Sequence, residues 1–366
     1  MEFTNQAQPD AASGGPPVYA PVIDPADRVR RGLFLWFAVL VALGGGGLLL
    51  GQTELAGLAA LAGLFAAAHA ADLDPRWKSL HYVLSWVVPA GGAAAYVAVA
   101  SFIRVSGDGS RFHQVAIASC LVGAVLIFLT YLRPVSNALA RFWFHGTSHV
   151  LRLAARFALV CLLVGLPGWL VMHELMSEAG IDLENVMQGA SFVGELLGYV
   201  VLAFGAVGFL VRRDLPQTLE RLGLKALTPS HLIAIGAGLL GLLVLNVGAE
   251  NIQRYFFPDL WRSDQAVVQA IAGKLTLPQS IMLGLSAGIG EEITMRGALQ
   301  PKLGILWTSL LFAALHVQYS WFGMLIVLMI GCTLGLLRRR TNTTSAMVVH
   351  ALFDLIGVAS IQLEGR

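Results

Sequence analysis

"GLFLWFAVLVALGGGGLLLG", residues 32–51, runs its whole length without a charged side chain. At about 1.5 Å of rise per residue, a helix of that length crosses the roughly 30 Å hydrocarbon core of a bilayer. Runs of the same kind, with Gly- and Ala-rich interiors, recur to the end of the chain. Overall 56% of residues are hydrophobic and 13% charged, and the mean hydropathy is +0.71. A soluble domain carries about 25% charged residues. The sequence therefore predicts an all-α, polytopic transmembrane helical bundle with about eleven spans. They fall near 33–51, 54–71, 80–103, 115–132, 153–173, 189–211, 230–248, 277–303, 305–319, 321–337 and 345–362.

Composition divides the chain into four parts. Residues 1–27, rich in Pro, Ala and Gly, read as a disordered cytoplasmic tail. Residues 28–211 form an N-terminal transmembrane region of six spans. Residues 212–229 are a basic, amphipathic linker along the cytoplasmic interface. Residues 230–366 hold the last five spans and nearly all the charge within the apolar runs. Between two of those spans, 249–276 reads as a long aromatic outer loop, a lid or interfacial anchor.

Most of the 24 Lys and Arg residues fall on the side that also holds the N-terminus, from "RVRR" (28–31) to "RRR" (338–340), while "HELMSEAGIDLENVMQG" (173–189) has none. That bias predicts a cytoplasmic N-terminus. A net charge of +2 and the lack of a basic, aromatic-laced patch point away from nucleic acid. Cys120, Cys161 and Cys332 sit in apolar runs without CxxC spacing and read as packing residues. His69 and Glu195 read as structural or interfacial. The sequence leaves the oligomeric state open.

Three motifs break the apolar pattern, each with a four-residue spacing that stacks side chains on one helix face. They are "EEITMR" (291–296), with Glu291, Glu292 and Arg296; "FAALH" (312–316), with Phe312 and His316; and "HALFD" (350–354), with His350 and Asp354. Counted at about 1.5 Å per residue from a turn near Gly304, Glu292 and His316 lie at equal depth, and Asp354 lies as far beyond Asn342. Ionisable groups at such a depth are costly and usually face a cavity. Together they could activate water as a carboxylate–histidine pair, hold Zn²⁺, relay protons or bind an ion in a transporter, or pin three helices with ion pairs. HExxH is absent, which weighs against zinc. The expected mouth lies on the cytoplasmic side, between the eighth, ninth and eleventh spans, where Ala346, one turn shallower than His350, should be reachable.

In these residues the chain resembles the CPBP family, the CAAX proteases and bacteriocin-processing enzymes also called Abi. That family's hallmarks are EExxxR, FxxxH and Hxxx(N/D), in this order on successive core helices. The resemblance covers about 230–362 and leaves the six N-terminal spans unexplained. It implies an intramembrane endopeptidase in which Glu291 and His316 activate water, Glu292 and Arg296 support the site, and His350 with the residue at 354 stabilises the oxyanion. No cofactor is expected; the alternative is Zn²⁺ held by Glu291, His316 and His350. Asp354 stands where the branch that processes prenylated proteins tends to have Asn. An ionised Asp cannot donate a hydrogen bond, so its expected task is to orient His350. The resemblance further implies a membrane-associated peptide or protein substrate and a bacterial inner membrane. The rival reading is a non-catalytic membrane protein, either a transporter or a binding protein conferring bacteriocin immunity.

Overall fold

The computed structural model describes residues 24–106, 111–178 and 192–364. The first 23 residues of the expected tail and most of the acidic segment 173–189 lie outside them. Within the described residues the chain is helical and forms no strand. We label fifteen helices: α1 Pro25–Val39, α2 Thr53–Leu73, α3 Lys78–Ser85, α4 Val87–Ser106, α5 Arg111–Leu129, α6 Arg133–Phe144, α7 His149–Glu178, α8 Phe192–Ala206, α9 Leu215–Leu222, α10 Pro229–Phe256, α11 Pro258–Ala272, α12 Leu277–Leu285, α13 Gln300–Ala314, α14 Trp321–Arg340 and α15 Thr343–Glu364. Two π-helical stretches, Ser286–Glu291 and Ile293–Leu299, continue α12.

Among the described residues, six helical stretches are long and apolar enough to cross a membrane, or up to eight if each of two bent pairs counts as one span. The protein is thus an integral membrane protein. The six match the runs at 33–51, 54–71, 80–103, 230–248, 321–337 and 345–362. The run at 153–173 lies within the single helix α7, and the remaining apolar runs depart from straight crossings for local reasons. The run at 115–132 continues through a 91° bend into α6, a helix the sequence reading takes as loop. The run at 189–211 ends early as α8, because the chain turns through left-handed residues at Gly208 (φ 81°) and Leu210 (φ 65°). The runs 277–303 and 305–319 meet at Gly304, whose φ of 80° and ψ of 171° break the helix where the sequence places a turn. Glycine pays no Cβ penalty there.

Segment 249–276 is not a loop. It consists of the end of α10 and all of α11. Within the linker, Asp214 and Gln217 form a capping box at the start of α9, and Gly223 (φ 71°) closes its end. Thr343 then binds α9 to the start of α15: its hydroxyl donates to the Leu222 carbonyl at 2.6 Å and its N–H to that of Gly223 at 3.0 Å.

Small residues set the close approaches. A Cβ on Gly205 of α8 would sit 2.7 Å from the Ala62 carbonyl oxygen of α2, and one on Gly288 would sit 2.5 Å from the Ala351 Cβ of α15. Such contacts let apolar helices pack where no hydrophobic force drives them together. They also seat α8 directly on the motif helix: Tyr199 packs against Gly290, and the Thr294 hydroxyl donates to the Tyr199 carbonyl at 3.1 Å.

Candidate active site

All of "EEITMR" lies in or between the two π-helical stretches. π-Helical turns are rare and frequent at functional sites. Arg221 of α9 donates to the carbonyls of Gly297 (3.1 Å) and Ala298 (3.2 Å), groups that the irregular winding leaves short of partners.

From this segment Glu292 and Arg296 point inward, both fully buried, with Oε1 and NH1 3.1 Å apart. The same Oε1 lies 3.0 Å from Nδ1 of His350 on α15. The approach follows from the sequence spacing: Gly284, Gly288 and Glu292 repeat every four residues, and the two glycines pack against Leu355 and Ala351 of α15. His350 Nε2 in turn lies 3.5 Å from Asp354 Oδ2. Arg296 also donates to the Gly331 carbonyl at 3.1 Å and stacks over the Phe312 ring at 4.7 Å. Glu292, Arg296, His350, Asp354 and Phe312 are therefore one contiguous cluster, with the Phe312 and His350 rings 6.0 Å apart.

His316 joins this cluster from outside its helix. The expected helix through 319 ends at Ala314, and His316 lies in the turn that follows. Its Nδ1 is 2.7 Å from the Phe312 carbonyl, and the two rings are 4.6 Å apart. That carbonyl lies in the last turn of the helix and also accepts from Leu315 N at 3.3 Å. A carbonyl only accepts, so the proton sits on Nδ1 and Nε2 is left for another partner.

Glu291 is half-buried and, among the described residues, takes part in no hydrogen bond or ion pair. No direct bond joins it to His316. Ala346, expected to border the mouth, is fully buried against its neighbours. Side-chain exposure rises along α15 from 7% at His350 to 20% at Asp354.

Zn²⁺ held by Glu291, His316 and His350 would require His350 to give up a carboxylate partner. Both nitrogens of His350 face carboxylates, and the described residues contain no grouping of three His, Cys, Asp or Glu side chains able to hold a metal ion. Glu195 of α8 accepts from Ser286 at 3.2 Å, and His69 pairs with the Ala206 carbonyl at 3.0 Å.

The sequence reading missed a buried network beside the site. Asp264 of α11 accepts from Ser320 N (2.6 Å), Ser320 Oγ (2.7 Å) and Gln253 Nε2 (2.6 Å). Its only sequence signal was an acidic residue in a segment taken for a loop.

Residues 273–356 match a family model described as type II CAAX prenyl endopeptidase Rce1-like. The uncharacterized protein YpbD of Bacillus subtilis (strain 168) is 27% identical over 168 residues, which cover 45% of this chain and 86% of that protein. No solved structure matches. All three motifs lie inside the matched residues, in the order and contact just described, and it is this C-terminal region that is similar to the Rce1-like CAAX prenyl endopeptidases.

Proposed function

We propose that the chain is an intramembrane endopeptidase of the CAAX type, hydrolysing a peptide bond of a membrane-associated peptide or protein. The observation that carries this reading is the convergence of three motifs, from three separate helical segments, on Glu292, Phe312 and His350. Glu291, unbonded beside that cluster, is the group left to take a proton from water, with His316 Nε2 as its partner across the bound water. The hydroxide forms a bond to the scissile carbonyl carbon. The oxyanion is met by the Nε2–H of His350, which lies 3.5 Å from Asp354 Oδ2 and turns to the substrate while Glu292 holds Nδ1. Collapse breaks the C–N bond, and the proton taken from water passes to the departing amine. Arg296 balances Glu292 and is anchored by Gly331 and Phe312.

On this reading the catalytic unit spans about 230–366, no tightly bound metal takes part, and the protein sits in a bacterial inner membrane with its N-terminus cytoplasmic. The test is terminal-peptide proteomics on membranes containing the wild type or Glu291→Gln. New peptide ends confined to the wild type support proteolysis, and identical sets in both refute it.

A further inference from the structure

His316 occupies an exposed type of position for a group that must be held to within a fraction of an ångström. It lies past the end of α13, where the regular helical ladder has stopped. Four backbone positions later, Ser320 starts α14 by capping Gly323 N at 3.1 Å. Between them only a short turn holds the chain, closed by Tyr319 N on the His316 carbonyl at 3.2 Å. The near end of this turn is fixed by the His316 ring on the Phe312 carbonyl. Its far end is fixed by one carboxylate from another helix, Asp264.

Asp264, Gln253 and Ser320 are 8%, 3% and 6% exposed. Asp264 takes both the backbone N–H and the hydroxyl of Ser320, and Gln253 of α10 ties down the carboxylate from behind at 2.6 Å. The first turn of α14 is kept bare to admit it: a Cβ on Gly323 would sit 2.7 Å from Asp264 Oδ2 and 2.8 Å from the Tyr319 Cβ. Tyr319 lies parallel to the His316 ring, at 9° and 6.3 Å. A continuous path of short contacts therefore runs from α10 through α11 to the histidine.

We propose that Asp264 is a positioning residue for His316, and that α11 is a strut that sets the catalytic histidine through the Ser320 cap. This inference rests on the proteolytic reading of the site. An ionised carboxylate suits the task because it accepts several hydrogen bonds at once and makes shorter, stronger ones than a neutral group. A small displacement of a catalytic group far from the bond being cleaved can cost about 100-fold in rate.

The test compares Asp264→Asn, the paired swap Asp264→Asn with Gln253→Glu, and Ser320→Ala in the full-length protein in lipid vesicles. The substrate is a fluorogenic peptide built on a cleavage site mapped in wild-type membranes. Asp264→Asn should lower kcat about 10- to 100-fold with KM within about twofold, counted per folded molecule. The swap, which restores a donor facing an acceptor, should recover most of kcat. Ser320→Ala keeps the backbone bond, so it should lose less than Asp264→Asn, and it serves alone if Asp264→Asn does not fold. Hydrogen exchange across residues 315–320 should quicken in both single variants while the middle of α15 stays protected. Wild-type kcat and unchanged exchange in a folded Asp264→Asn or Ser320→Ala would overturn the proposal, as would a loss that the swap leaves unrepaired. His316→Ala runs alongside. If it cleaves at the wild-type rate, the proteolytic reading itself fails. If it is inactive while Asp264→Asn is normal, only the strut fails.

Discussion

Two buried polar clusters, one in each half of the chain, use nearly the same residue types to different ends. In the N-terminal half, Asp72 of α2 accepts from the backbone of His149 (2.7 Å) and Val150 (3.3 Å), and from the His149 ring at 3.0 Å. Arg156 donates to the Thr130 carbonyl at 3.1 Å, and Arg152 to that of Thr147 at 2.5 Å. Each charge there meets a helix end, where backbone groups lack partners. In the C-terminal half, Glu292, Arg296, His350 and Asp354 mostly meet one another, and Glu292 Oε2 and Arg296 Nε find no hydrogen-bond partner. The first arrangement ties helices together. The second stores charge around an unbonded carboxylate, Glu291. A polar residue in an apolar helix is thus weak evidence of chemistry until its partners are known.

The largest expected effect falls on activity alone. Glu291→Gln, and separately His316→Ala, should cut cleavage by about 100-fold or more, as loss of acid–base catalysis does. Unfolding in detergent should shift little for Glu291→Gln, since Glu291 bonds to none of the described residues. Retained activity in both would put the two clusters in the same structural class.

Next comes Glu292→Ala, which leaves Arg296 buried beside an empty space. Breaking a buried pair by removing one partner costs about 3–5 kcal/mol, so thermal unfolding should drop sharply along with activity. A small shift would mean that Gly331 and Phe312 suffice to hold the arginine.

Asp72→Asn should cost about 1–3 kcal/mol of stability, because backbone donors at the start of α7 lose their charged acceptor. Its kcat per folded molecule should match the wild type. A kcat loss larger than the loss of folded protein would show that the N-terminal cluster reaches the site.

The smallest expected effect concerns metal. Both His350 nitrogens face carboxylates, so dialysis against a chelator should leave activity within about twofold, whereas a structural or catalytic zinc would be missed at once. Activity lost to the chelator and restored by Zn²⁺ alone would show that His350 turns away from Asp354 in the working enzyme.

Much of this was legible in the sequence because it rests on short-range periodicity. Six apolar runs are long helices, Gly304 breaks the chain where the depth count places a turn, and Glu292 reaches Arg296 one turn away. His350 with Asp354 follows the same rule. What stayed hidden depends on contacts between distant segments or on winding other than α. The π-helical turns around Glu291 have no composition signal of their own. His316 lies past its helix end with its ring on the Phe312 carbonyl, a contact that an apolar pattern does not announce. Asp264 lay in a stretch taken for a loop, and its partner Ser320 is 56 residues away. Ala346 was placed correctly along α15, but its burial is set by neighbouring helices.

The claim that Glu291 activates water for peptide hydrolysis is tested most directly by isotope. Native membranes carrying the wild type or Glu291→Gln are incubated in water enriched in ¹⁸O, and peptide C-termini are read by mass spectrometry. The account predicts a set of new C-termini bearing one ¹⁸O in the wild type and none in the variant. The same labelled ends at the same rate in both samples would contradict it.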